Sequence, residues 1–349
     1  MNIIKDMLPA EKLGFGRYFC PKMLVSEYKN SQWGELQLKN AENLSLDPAA
    51  KSLHYAQEIF EGLKAYKQKN GSFVLFRPEA NVSRMSFSAE VMAMPPFPED
   101  IFNEGLIRLV KESLAFVPEA PGSLYLRPTM ISTTPHLGVA PGNDYLFYVL
   151  AGPVGGYFEG SNSLEISKIS IQATNKYVRA VRGGIGAAKT GGNYAASLRA
   201  IKEAKAIGYT NVLFLDAINR RNLEELGGMN IFAVFNGELH TPKLADTILA
   251  GVTRDSILKL AKTLGIKTIE RDITIDEVIE GSKSGKTQEV FACGTAAVIA
   301  SVTEIGWQNE KFPISDKQVG PVTQKLYDEL VGIQYGLKSS PFNDWIRKI

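Results

Sequence analysis

A lysine set among small residues and glycines, Ala188-Lys189-Thr190-Gly191-Gly192-Asn193-Tyr194, precedes a second motif, Glu225-Leu226-Gly227-Gly228-Met229-Asn230. Little side-chain bulk surrounds that amine, so a flat ligand can approach it closely. A Schiff-base lysine needs such access, since the neutral amine has to attack an aldehyde carbon. A carboxylate on a later strand, set against a ring nitrogen, would turn that ring into an electron sink. The two motifs together point to pyridoxal phosphate (PLP) chemistry. The density of Gly183, Gly184, Gly186, Gly191 and Gly192 marks backbone passing close to something.

A different chemistry competes at the same place. Gly183 to Thr190 is one substitution from a nucleotide-binding phosphate loop, and Val212 to Asp216 would pose as its metal-binding strand. Ala188 stands where that loop requires glycine. Gly191 and Gly192 also weaken the helix that should follow, each by about 1 kcal/mol relative to alanine.

These residues need elements to hold them. Gly62 to Lys67, an Asn70-Gly71 turn and Phe73 to Phe76 read as a hairpin, because Asn-Gly favours the tight turns between antiparallel strands. The spacing predicts helices over Glu79 to Met92 and Pro98 to Phe116, the second from Ile101, Leu106, Leu109, Val110 and Leu114. Ser123 to Ile131 and Asp144 to Ala151 read as strands. Gly152 to Ser163, rich in Gly, Pro, Ser and Asn, reads as an exposed connection between domains.

Beyond it, Leu164 to Ile171 marks a strand region, and Tyr194, Leu198 and Ile201 mark a helix ended by Gly208. Val212 to Leu215 reads as a short buried strand. Ile231 to Phe235, Asn236-Gly237 and Glu238 to Thr241 predict a second hairpin. Thr253 to Leu264 predicts a helix stopped by Gly265, and Glu289 to Ala292 leads into the turn Gly294-Thr295-Ala296. Hairpins mixed with helices argue for an α+β chain rather than a doubly wound parallel sheet.

At 349 residues there is room for about two domains. A formal net charge of +2, with the basic residues scattered, gives no footprint for nucleic acid. Two cysteines, Cys20 and Cys293, and three spread histidines argue against a disulfide framework or a metal site. No run approaches the ~20 apolar residues of a membrane span. Met1 to Asp6 lacks a signal-peptide core, and Asp6 and Glu11 argue against a transit peptide. A soluble cytoplasmic protein without a metal is the expectation.

The two motifs fall in an ordered set that spans most of the chain: Tyr55, Phe60 to Tyr66, Phe76-Arg77-Pro78, Arg84-Met85, Leu124 to Pro128, Gly251-Val252-Thr253-Arg254 and Gly294-Thr295-Ala296. That set resembles the branched-chain amino acid aminotransferases, which are fold-type IV PLP enzymes. The resemblance implies an α+β, two-domain fold like that of D-amino acid aminotransferase. A smaller α+β N-terminal domain would cover residues 1–151, a linker loop 152–163, and a larger barrel-like PLP-binding domain 164–349. It also implies a homodimer that transfers the amino group of L-leucine, L-isoleucine or L-valine to 2-oxoglutarate, through pyridoxamine phosphate. The partners are then small amino acids and 2-oxo acids. D-amino acid aminotransferase and aminodeoxychorismate lyase, which share the lysine and the glutamate, are the nearest alternatives.

The resemblance also distributes roles. Lys189 is the catalytic lysine, binding the cofactor and moving the proton. Glu225 faces the pyridine nitrogen, although Glu224 is an equal candidate on the residues alone. Tyr194 holds the 3′ oxygen. Arg84 serves the phosphate, with Arg77 as its local rival, because a guanidinium fork donates two parallel hydrogen bonds to an oxyanion. Val252 and Thr253, at a predicted helix start, offer backbone N–H groups to the same phosphate. Thr295 adds a contact there and, with Ala296, one near the substrate carboxylate.

Tyr55, Phe60, Tyr125 and Tyr157 match the family's aromatic substrate pocket, and Arg127 matches the residue that meets the side-chain carboxylate of glutamate. Alternate residues of a strand share a face, so Tyr125 and Arg127 can line one pocket. Two departures stand out. Gly228 replaces a hydroxyl residue of some relatives, and Ala296 to Ile299 lacks a cysteine pair, so no thiol switch is expected.

Overall fold

The structure, a computed structural model, describes residues 1–155 and 164–349. The backbone divides into two compact units. One comprises Met1–Leu164, Ala188–Gly191 and Gly332–Ile349, the other Glu165–Ala187 and Gly192–Val331. The Lys189 segment therefore belongs to the unit built mainly from the N-terminal part of the chain, although it lies beyond the boundary expected near residue 152.

A nine-stranded antiparallel sheet organises the first unit. Its strands are β1 (Lys22–Lys29), β2 (Gln32–Trp33), β3 (Gln37–Asn40), β4 (Glu58–Phe60), β5 (Leu63–Lys67), β6 (Phe73–Phe76), β7 (Ser123–Ser132), β8 (Tyr145–Val154) and a C-terminal strand, Ile346–Lys348. From that C-terminal strand the order is β6, β5, β7, β8, β1, β2, with β3 on β1 and β4 on β7. The predicted hairpin forms, with Ala65 opposite Leu75. β8 runs on through Val154, so Gly152, Pro153 and Val154 extend a strand instead of opening a loop. Residues 156–163 of the expected connection, Tyr157 among them, lie outside the described residues.

Two short helices, α1 (Ala10–Leu13) and α2 (Lys51–Tyr55), and two longer ones, α3 (Pro78–Val91) and α4 (Glu99–Glu112), complete this unit. Phe102, Leu106, Leu109 and Val110 form the buried stripe of α4 at helical spacing. The Phe97 and Phe147 rings stack at 4.1 Å within the same core. Each such side chain contributes roughly 1.5–3 kcal/mol by leaving water. Ile101, expected on this stripe, is 42% exposed, because the helix is phased on Phe102.

The second unit contains β9 (Ser167–Thr174), β10 (Asn211–Leu215), β11 (Leu223–Leu226), β12 (Met229–Phe235), β13 (Glu238–Thr241), β14 (Thr268–Glu270), β15 (Thr287–Gly294), β16 (Val298–Trp307) and β17 (Glu310–Pro313). The order β11-β10-β9-β16-β15-β12 closes on itself, since β12 also pairs with β11. A closed ring leaves those strands no free edge. All seven residues of β12 are accordingly buried.

Helices α5 (Gly191–Ala195), α6 (Leu198–Ala206), α7 (Val252–Thr263) and α8 (Ile275–Ser284) lie beyond Lys189 in the chain. The single helix expected from Tyr194 to Ile201 is broken between α5 and α6. Leu198 is 65% exposed, and the small residues Ala200 and Ala204 take the face that packs with Val212 and Phe214. Among the described residues no helix is long and apolar enough to cross a membrane.

Candidate active site

Two hydrogen bonds fix the Lys189 backbone in the first unit. Its N–H donates to Ser88 Oγ on α3 at 2.9 Å, and its carbonyl accepts from the Phe60 N–H at 2.9 Å. The ammonium lies 4.8 Å from the centre of the Phe60 ring. Ser88 is buried inside a helix, and nothing in its sequence context singles it out.

Nearby, the fully buried Glu61 holds Arg84. Arg84 Nε donates to Oε1 at 2.7 Å and Nη2 to Oε2 at 2.8 Å. Asn81 Nδ2 adds a bond of 2.8 Å and the Gly62 N–H one of 3.1 Å. Burial pushes the Glu61 carboxyl up, but the charge and hydrogen bonds of Arg84, with help from Lys189 and Asn81, outweigh it and hold the group below its ordinary range. One carboxylate thus serves both cations expected at the cofactor. Sequence reading missed this role, which exists only because Glu61 meets α3. Arg77, the local rival of Arg84, lies over the Trp345 ring at 5.0 Å in a packing position.

β4, β7 and β8 gather pocket residues on one face. Glu58 sits opposite Ile131, Phe60 opposite Thr129, and Thr129 opposite Tyr148. Residues directly opposite one another share a side of the sheet, and Tyr125 and Arg127 follow at alternate positions of β7. Arg127 Nη2 donates to the Tyr125 hydroxyl at 3.0 Å. The guanidinium carbon is 4.8 Å from the centre of the Phe60 ring and 5.3 Å from that of Tyr125. Phe60, Tyr125 and Arg127 are therefore brought together. Phe15, which sequence reading missed, meets Tyr125 edge-on at 4.8 Å. Tyr55 goes elsewhere: at the end of α2 it is 41% exposed, and its hydroxyl donates to the Leu137 carbonyl.

In the second unit Glu225, on β11, is buried and ion-paired with buried Arg179. Asn230 Nδ2 donates to its Oε2 at 3.2 Å and the Leu249 N–H to its Oε1 at 3.3 Å. Arg179 also donates to the carbonyls of Gly186 and Thr247, each at 2.8 Å, which ties the glycine-rich segment to the turn ahead of α7. Sequence reading missed Arg179, whose only local signal is a cation upstream of the glycines. Neighbouring residues of a strand point to opposite faces, so Glu224 has different surroundings. Burial pushes its carboxyl up, eased by a hydrogen bond to Thr247 and the charge of Arg179.

A Cβ on Gly228 would lie 3.2 Å from Tyr194 Cε1, so glycine there lets the ring sit close. α7 starts at Val252 behind Gly251, which has no side chain to cap it. Thr253 is buried in the first turn. Thr295 and Ala296 are half-buried in the turn between β15 and β16, ahead of Val298 at φ +61°. The first unit thus supplies an amine and a held arginine. The second supplies an ion-paired buried carboxylate, a tyrosine and a helix that starts behind a glycine. Taken separately, each unit carries groups whose chemistry suits a phosphorylated pyridine aldehyde.

The phosphate-loop alternative fails on structure. The helix after Lys189 has only five residues. Asp216, its supposed metal ligand, instead accepts the N–H groups of Asn219, Arg221 and Asn222 at 2.7, 3.0 and 2.7 Å.

Residues 58–305 match the family model described as amino-transferase class IV. A branched-chain-amino-acid aminotransferase of Mycolicibacterium smegmatis is 47% identical over 330 residues, 93% of this chain and 89% of that protein. Branched-chain-amino-acid transaminase 1 of Bacillus subtilis is 43% identical, covering 97% of this chain and 95% of its own. The solved branched-chain amino acid aminotransferase designated T.th., complexed with N-(5′-phosphopyridoxyl)-L-glutamate, superposes with a TM-score of 0.74 at 25% identity, over 92% of this chain and 97% of that one. The chain belongs to the class IV aminotransferases, in their branched-chain amino acid branch.

Proposed function

We propose that this chain is a PLP-dependent transaminase that moves the amino group of L-leucine, L-isoleucine or L-valine to 2-oxoglutarate, acting as a cytoplasmic homodimer. The observation that carries the reading is the face shared by Phe60, Tyr125 and Arg127. It offers an apolar wall for an aliphatic side chain and one cation for the side-chain carboxylate of the second substrate. Bound PLP supplies an electron sink.

The chain's own residues do the rest. The Lys189 amine attaches the cofactor and carries the proton at the substrate α-carbon. Glu225, held by Arg179, presents a fixed negative charge to the ring nitrogen, and Tyr194 donates to the 3′ oxygen. Arg84, Val252, Thr253 and Thr295 hold the phosphate. Thr295 and Ala296 receive the substrate carboxylate. The solved T.th. complex supports the cofactor assignment, since its phosphopyridoxyl-glutamate ligand joins that cofactor to an amino acid.

The purified protein is expected to be yellow, and borohydride should bleach it and leave the pyridoxyl group on Lys189. Lys189→Ala should lose at least the roughly 10²–10⁴-fold that a general acid–base group contributes. A colourless protein that takes up no added PLP would refute the assignment. Activity with L-leucine, and none with D-alanine, places it in the branched-chain branch.

A further inference from the structure

The pocket face carries a second charged group besides Arg127. Glu58 and Phe60 alternate on β4, and Arg127 lies 4.8 Å from the Phe60 ring on the same side of the sheet. The half-buried Glu58 carboxylate reaches toward the chain just after Lys189, since a Cβ on Gly191 would collide with its Oε1. Burial pushes the Glu58 carboxyl up, and the charge of Arg127 offsets part of that. Burial also pushes the Tyr148 hydroxyl up; it shares a hydrogen bond with Thr129 and feels both Glu58 and Arg127.

A transaminase pocket of this kind has to accept two side chains of opposite character. Against a leucine side chain, a guanidinium without a counter-charge would be a desolvated, uncompensated cation, which is costly. An acidic side chain brings its own counter-charge. We propose that Glu58 is a specificity-determining residue, the resident counter-ion of Arg127. It neutralises the guanidinium while an aliphatic side chain fills the pocket, and gives it up to the carboxylate of a dicarboxylic substrate. Two carboxylates then contend for one guanidinium, so Glu58 weakens the dicarboxylic ligand while favouring the aliphatic one. The inference rests on the transaminase reading above.

The test uses the holoenzyme, with Glu58→Gln as the neutral isostere and Glu58→Asp as the variant that keeps the charge. Calorimetric titration with glutarate and with 4-methylpentanoate reads binding without turnover, and KM for 2-oxoglutarate and 4-methyl-2-oxopentanoate reads it in the reaction. In Glu58→Gln, Kd and KM of the dicarboxylic ligands should fall about three- to tenfold, while those of the aliphatic ligands rise by a similar factor. In Glu58→Asp the ratio between the two ligands should return toward that of the unmodified protein. Parallel shifts for both ligands, no change in their ratio, or a rise for the dicarboxylic ligand would overturn the inference. A protein that neither takes up PLP nor aminates either oxo acid would instead defeat the transaminase reading.

Discussion

Glu61→Gln removes one charge and almost no volume, and it takes a buried carboxylate away from the largely buried Arg84. Glu61 is fully buried and accepts from Arg84 Nε at 2.7 Å, Arg84 Nη2 at 2.8 Å, Asn81 at 2.8 Å and the Gly62 N–H at 3.1 Å. Removing one partner of a buried ion pair costs about 3–5 kcal/mol, because the other charge stays behind uncompensated. At ~2–4 °C per kcal/mol for a domain of this size, Tm should fall by roughly 6–20 °C. Thermal unfolding should be followed on the apoprotein, since a bound cofactor stabilises by mass action and would mask the loss. The double variant Glu61→Gln/Arg84→Met removes both charges and should recover much of the difference, giving a coupling well above the ~0.5 kcal/mol scatter of independent sites.

The sign with pH follows from the direction of the shift. Glu61 is held below the ordinary carboxylate range, so its contribution is complete above the unfolded value of about 4.3 and is lost as pH falls through the lower folded value. The gap between the unmodified protein and Glu61→Gln should therefore close in acid. Additive single variants, or a gap that ignores pH, would refute the reasoning.

Three further outcomes are expected. Arg179→Met leaves Glu225 buried without its ion pair, so it should cost about 3–5 kcal/mol of stability and release cofactor on gel filtration; an unchanged Tm with full cofactor would contradict this. Gly228→Ser should push the Tyr194 ring by a few tenths of an ångström, raising the Kd for PLP several-fold with a stability change under about 1 kcal/mol, both measurable by fluorescence titration and melting. Burial pushes the Cys20 thiol up to about 12, against a hydrogen bond from Ser113, and raises the Cys293 thiol as well. Ellman's reagent should therefore titrate neither cysteine in the native protein and both in denaturant; rapid native labelling would show the burial to be wrong.

Local order was legible from sequence wherever a periodic stripe or a turn residue wrote it down. The Asn70-Gly71 and Asn236-Gly237 hairpins, the helices that start near Glu79 and Val252, and the strand carrying Tyr125 and Arg127 fall within a residue or two of their predicted places. Phase was harder to read. Ile101 and Leu198 both looked like core residues, and Phe102, Ala200 and Ala204 displaced them, because the neighbouring surface decides which side of a helix is covered.

What the sequence determined by itself is the set of reactive groups and their order: an accessible lysine, a later glutamate, an arginine in a predicted helix, and an aromatic-x-arginine strand. Only the tertiary structure decided what each of them touches. Glu61 serves Arg84, Arg179 serves Glu225, Ser88 anchors Lys189, and Glu58 shares a face of the sheet with Arg127. The physical reason is that local conformation follows from each residue's own dihedral and burial preferences. A buried charge, by contrast, is decided by whichever partner a distant segment delivers, and spacing along the chain does not encode that meeting.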